Sequence, residues 1–180
     1  MRNAMLWGAS MTFALLLASG VALAAAITGT DGADSLEGTP RSDTIQGFRG
    51  GDTITGRASG DTLRGYRGDD TMGGGGGGDD MYGGRGADKM RGGGGDDKMY
   101  GGPGRDTIYG KDGNDTTDGQ GGGDTLVGGP GRDTIIAGTG SSNKIFARDR
   151  EQDLICVNPD SAGRLVTADN KDEFIDNNSC

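Results

Sequence analysis

An aspartate recurs every nine residues along the chain, at Asp34, Asp43, Asp52, Asp61, Asp70, Asp79, Asp88, Asp97, Asp106, Asp115, Asp124 and Asp133. Each stands five residues after a glycine and two before a large aliphatic side chain, with Thr117 the single departure from the aliphatic rule. Carboxylates at a fixed interval, set among glycine turns whose carbonyls are open to approach, are oxygen donors suited to a hard divalent cation. They are poor candidates for acid–base catalysis, which needs two carboxyl groups in unlike environments. The chain has no histidine, which removes Ser-His-Asp and Cys-His nucleophilic sites and His-based zinc sites. The chemistry on offer is cation binding, and no enzymatic activity is expected.

The elements that must position these carboxylates follow from the period. Residues 29–136 are twelve in-register copies of a nine-residue phrase; position 1 is always Gly, position 6 always Asp, and position 4 is Gly except at Arg41 and Ser59. A strict short period specifies a solenoid. Positions 7 to 9 form a short strand with the position 8 side chain on one face, and the first six positions form a glycine-permitted turn. With two phrases per coil, phrases n and n+2 stack. Position 8 then makes two internal ladders, Leu36-Ile54-Met72-Met90-Ile108-Leu126 and Ile45-Leu63-Met81-Met99-Thr117-Ile135. The aspartates fall in two columns at one strand spacing, where bare charges repel by roughly 3–4 kcal/mol at an effective dielectric of 20. A cation between successive turns reverses that sign. Ca²⁺, which accepts six to eight oxygens in a flexible cage, suits the arrangement better than Mg²⁺. One buried aliphatic side chain per phrase is a thin core, so binding and folding are expected to be coupled.

The flanks read differently. Arg2 is followed by 28 uncharged residues up to Asp31, with an apolar run ending in Val21-Ala22-Leu23-Ala24-Ala25-Ala26. Residues 1–24 read as a Sec-type signal peptide, with cleavage possible up to residue 26 and secretion to the extracellular side; retained, the same stretch is long enough to anchor in a bilayer. After Ile136 the register slips, although Asn143-Lys144-Ile145, Asp153-Leu154-Ile155 and Asp172-Glu173-Phe174 echo the phrase. Residues 137–180 read as degenerate capping repeats. They hold the only two cysteines, Cys156 and Cys180, which in an exported chain are expected to form a disulfide. The net charge of −9 argues against nucleic acid or an anionic membrane as partner. Position 7 is Thr in eight of the twelve phrases, but Asp80, Lys89 and Lys98 interrupt both rows, which weakens an ice-binding reading. An acidic roll acting as a Ca²⁺-dependent surface or matrix adhesion module, binding glycans or other proteins, is the alternative to a free calcium-binding protein.

The phrase resembles the G-G-x-G-x-D-x-U-x nonapeptide of RTX (haemolysin-type) calcium-binding repeats, and the resemblance covers residues 29–136. It implies a parallel β-roll, so the fold expected is all-β: about six two-repeat coils, followed by the degenerate, disulfide-linked cap read above from the residues themselves. It also implies that the twelve position 6 aspartates and the backbone carbonyls of turn residues such as Gly83, Gly92, Gly101 and Gly110 hold several Ca²⁺ ions. The turns of Asp34, Asp43, Asp52 and Asp61 depart most from the pattern. Arg105 and Arg132 occupy position 5, where the family often has Asn or Asp. Many RTX proteins resemble type I secretion substrates with an effector domain ahead of the repeats and no cleavable leader. Here a Sec-like leader comes first, which leads us to expect a stand-alone roll, exported unfolded and folded by external Ca²⁺.

Overall fold

The computed structural model describes residues 23–140, 142–147, 149–157 and 165–176. Most of the leader and Cys180 lie outside them. The described chain is all β. The strands in order are β1 (Ala26–Thr28), β2 (Ser35–Glu37), β3 (Thr44–Arg49), β4 (Thr53–Ala58), β5 (Thr62–Arg67) and β6 (Thr71–Gly76). They continue with β7 (Asp80–Arg85), β8 (Lys89–Gly94), β9 (Lys98–Gly104), β10 (Thr107–Asp112), β11 (Thr116–Gly122) and β12 (Thr125–Val127). The last are β13 (Thr134–Ile136), β14 (Lys144–Ala147), β15 (Leu154–Val157), β16 (Leu165–Ala168) and β17 (Glu173–Asp176). No helix among the described residues is long and apolar enough to cross a membrane.

Odd-numbered strands form one nine-stranded sheet and even-numbered strands an eight-stranded one, each in chain order. All pairings are parallel, so each phrase stacks on the one two phrases later. In the first sheet Ile45, Leu63, Met81, Met99, Thr117 and Ile135 are aligned in register. In the second, Leu36, Ile54, Met72, Met90, Ile108 and Leu126 are aligned. Apart from Leu36 and Thr117, these side chains form one buried hydrophobic cluster. Thr117 is fully buried with its hydroxyl unpartnered.

Two expectations need correction. The solenoid has about eight coils, not six. Ile27 extends the first ladder ahead of Ile45, and Ile155 and Phe174 extend it after Ile135. Ile145 and Val166 extend the second ladder after Leu126. After Ile136 the strands keep their register although the sequence loses its nine-residue period. The strands are also longer than three residues: β3 to β11 run six or seven residues, from position 7 through position 3 of the next phrase, or position 4 in β9 and β11. Position 1 glycines are buried and face inward like position 8, so the ladder continues past the aliphatic rung and only positions 4 to 6 are left as turn.

Candidate metal centre

Position 6 ends the turn just before each strand, which places every aspartate at the rim of the core. Asp43 to Asp133 are buried at 0–4% exposure, while Asp34 is half-buried. Burying a carboxylate is unfavourable unless its oxygens find partners. One oxygen does. From Asp52 to Asp133 the Oδ1 of each aspartate accepts the backbone N–H of the aspartate one coil earlier, as from Asp52 to Asp70 at 2.8 Å, Asp79 to Asp97 at 2.8 Å and Asp97 to Asp115 at 2.9 Å, and Asp43 Oδ1 accepts the Ala25 N–H. This continuous ladder was not anticipated from the sequence, and it partly offsets the repulsion within each column.

The other oxygen does not. The Oδ2 atoms of Asp52, Asp61, Asp70, Asp79, Asp88, Asp97, Asp106, Asp115, Asp124, Asp133 and Asp153 are buried without a hydrogen-bond partner. In the sequence Asp153 is only an echo of the phrase; its place in the column follows from β15, which continues the ladder. Position 1 glycines border these oxygens. A Cβ on Gly65 would stand 2.1 Å from Asp70 Oδ2 and 2.6 Å from the Gly83 carbonyl oxygen. On Gly74, Gly83 and Gly92 it would stand 2.1–2.4 Å from the Oδ2 of Asp79, Asp88 and Asp97, and 2.6–2.8 Å from the carbonyls of Gly92, Gly101 and Gly110. The missing side chain leaves a gap bounded by a carboxylate oxygen and the carbonyl of the next coil. The donors are all hard oxygens, which fits Ca²⁺. No three acidic, His or Cys side chains converge on one point among the described residues, so a cation here would depend on carbonyls as much as on carboxylates.

Burial dominates the electrostatics. It pushes Asp70, Asp79, Asp88, Asp124 and Asp153 up to about 6, and Asp97, Asp106 and Asp133 up to about 7. Asp52, Asp61 and Asp115 are raised for the same reason. The backbone N–H on Oδ1 opposes the shift, and neighbouring aspartates add to it. At Asp124 the Arg105 charge opposes the shift as well, but for the other raised carboxyl groups no positive charge figures among the causes.

The ends of the columns are built differently. Thr30 donates its N–H and hydroxyl to Asp34 Oδ2 at 2.5 and 2.9 Å, and Thr39 donates its N–H to Asp43 Oδ2 at 2.5 Å. The reason is local backbone. From Phe48 through Gly129, position 2 holds a left-handed φ, including Phe48 at 78° and Tyr66 at 75°; Thr30 and Thr39 do not. At the far end Asn143 replaces the aspartate. Its Oδ1 accepts the Asp124 N–H at 2.7 Å, and its Nδ2 donates to the Ala137 carbonyl at 2.8 Å. Asp172 Oδ2 accepts the Asp169 N–H at 2.7 Å. Protein donors thus satisfy the terminal rungs, whereas the interior ones carry bare oxygens. Of the expected ligands, Asp34 and Asp43 stand apart from the other ten. Cys156 is buried in β15; the pairing expected for it falls on Cys180, outside the described residues.

No curated protein matches the chain significantly. The family model described as the RTX calcium-binding nonapeptide repeat (4 copies) matches residues 28–59, 46–81, 55–90, 82–117 and 118–141, together well over half of the chain. The matched segments contain the glycine-bordered aspartate columns of a parallel β-solenoid, and the chain belongs to the RTX calcium-binding nonapeptide repeat family.

Proposed function

We propose that this is an exported calcium-binding protein whose β-roll folds as Ca²⁺ is bound, and that it has no enzymatic activity. The observation that carries the reading is the row of eleven buried, unpartnered Oδ2 atoms. A buried polar atom left unsatisfied costs about 1–3 kcal/mol, more when charged, and eleven such atoms in a chain with a core one rung wide weigh against a stable metal-free fold at neutral pH. Bound Ca²⁺ supplies the positive charge and the oxygen-coordinating capacity that burial takes from water. Asp52, Asp61, Asp70, Asp79, Asp88, Asp97, Asp106, Asp115, Asp124, Asp133 and Asp153 are the carboxylates that would hold it, with the carbonyls of Gly83, Gly92, Gly101, Gly110 and their equivalents. Asp34 and Asp43 serve as closed rungs.

The same reading assigns residues 1–24 to a cleaved leader and residues 137–180 to a cap closed by a Cys156–Cys180 disulfide. Extracellular Ca²⁺ suits modules that bind at ~10⁻⁴–10⁻³ M, which would keep the chain unfolded until after export. The test is far-UV circular dichroism of residues 25–180 during a Ca²⁺ titration, with Mg²⁺ as control. A coil spectrum converting cooperatively to β, reversed by chelator, is expected. A β spectrum indifferent to Ca²⁺ overturns the coupling.

A further inference from the structure

On a chain of net charge −9, one face of the nine-stranded sheet is basic and aromatic. Phe48 and Arg49 end β3, Tyr66 and Arg67 end β5, and Arg85 ends β7. Phe48 aligns with Tyr66, Arg49 with Arg67, and Arg67 with Arg85, so three arginines step along the roll at about 4.8 Å per coil. The rings of Phe48 and Tyr66 stack with centroids 5.6 Å apart. Arg64 lies over the Tyr82 ring at 5.3 Å. These side chains line a shallow groove whose one carboxylate, Asp31, pairs with Arg49 at 3.5 Å. Arg67 and Arg85 make no ion pair among the described residues.

This face breaks two local rules at once. Phe48 and Tyr66 hold left-handed backbone at position 2, as Arg57, Lys111 and Gln120 also do, where Gly75, Gly84, Gly93 and Gly102 occupy the equivalent place without strain; large side chains are disfavoured there. Like charges directly opposite on neighbouring strands repel. The Phe48–Tyr66 stack offsets part of the first penalty, but the aligned Arg67 and Arg85 bring no ion pair to the fold among the described residues, and features held against a local cost gather at functional sites.

We propose that this face binds a linear polysaccharide carrying an acidic group on each sugar. Arginine forks pair bidentately with carboxylate or sulfate, and a pyranose unit has a length comparable to the coil spacing, so successive sugars meet successive arginines. The aromatic side chains give an apolar floor for sugar C–H groups, and the tyrosine hydroxyls are available for hydrogen bonding. Single-stranded nucleic acid suits the face less well. Its bases need free ring faces to stack on, and one face of each of Phe48, Tyr66, Tyr82 and Tyr100 is already taken by its partner ring.

The proposal rests on the calcium-folding reading, because the face exists only in the folded roll. The test is calorimetric titration of the Ca²⁺-loaded chain with a chondroitin sulfate hexasaccharide, which carries an anionic group on every sugar. Maltohexaose and a short single-stranded DNA serve as comparisons, and circular dichroism is recorded on each sample. Arg67→Glu with Arg85→Glu should weaken binding of the sulfated oligosaccharide by at least about tenfold with the Ca²⁺-induced β spectrum unchanged. Arg67→Gln with Arg85→Gln, which introduces no new charge, should weaken it less but in the same direction. Maltohexaose should not bind. A folded wild-type chain that ignores the oligosaccharide, equal binding by wild type and variants, or tighter binding of the DNA overturns the proposal and leaves calcium folding standing. A coil spectrum with and without Ca²⁺ overturns both.

Discussion

Asp97 and Asn143 occupy equivalent places in two columns and solve the same problem in different ways. Each accepts a backbone N–H from the coil before on Oδ1. Asn143 then donates from Nδ2 to a position 1 carbonyl, whereas Asp97 presents a bare oxygen. Asp97→Asn should therefore convert an interior rung to the metal-free kind. Fewer Ca²⁺ ions should bind per chain, while the β signal in chelator stays equal to or above that of wild type. Asp97→Ala removes the accepting Oδ1 as well, so the Ca²⁺ midpoint should rise roughly tenfold and the transition should broaden. Asp34→Ala should leave the midpoint nearly unchanged, because Thr30 already satisfies Asp34. Calcium counting by equilibrium dialysis beside circular dichroism checks all three; equal midpoints for Asp97→Ala and Asp34→Ala would refute the distinction between interior and terminal rungs. Gly92→Ala should be more damaging still. Its Cβ would stand 2.1 Å from Asp97 Oδ2 and 2.7 Å from the Gly110 carbonyl, so a cooperative Ca²⁺ transition should be lost from that coil.

At the scale of elements, ladder membership was legible in the sequence because it depends only on period. Leu63 opposite Met81 follows from counting eighteen residues, and the structure pairs them so. The lengths of the strands and the closure of the ends were not legible, because they depend on the backbone at position 2. Thr30 looks no less compatible with a turn than Phe48, yet one N–H reaches Asp34 and the other residue swings to left-handed φ. The coils after Ile136 were hidden for a different reason. Offsets change there, with Thr125 pairing to Lys144 and Thr134 to Leu154, so a fixed-period reading loses them although the pairing rule still holds. Thr117 is the exception inside the regular array. It fills an aliphatic rung of β11 with a hydroxyl that finds no partner. Thr117→Val keeps the shape and removes the orphan group, and should stabilise the Ca²⁺-loaded roll by about 1 kcal/mol, read as a higher thermal midpoint. An unchanged or lower midpoint would mean that the hydroxyl is satisfied in solution.

The whole molecule is two columns of buried carboxyl groups held between thin sheets, and protons and cations are alternative ways to neutralise them. The folded chain raises Asp97, Asp106 and Asp133 to about 7, and Asp70, Asp79, Asp88, Asp124 and Asp153 to about 6, whereas an unfolded aspartate titrates near 3.9. Between those values the folded chain holds protons that the unfolded one has released, so the stability of the metal-free roll falls as pH rises. It is greatest below the unfolded value and is lost by the time pH passes through 6 to 7. In chelator, acidification from pH 8 to about pH 5 should therefore raise the β signal, opposite to the usual acid unfolding of salt-bridged carboxylates. With Ca²⁺ present the sense reverses, since protons now compete for the same oxygens and the Ca²⁺ midpoint should climb as pH falls. Paired titrations by circular dichroism, with and without chelator, read both slopes. Loss of β signal on acidifying the chelated chain would show that the aspartates are not buried until Ca²⁺ arrives; the two opposite slopes together would show that one set of carboxyl groups governs both the charge and the folding of the roll.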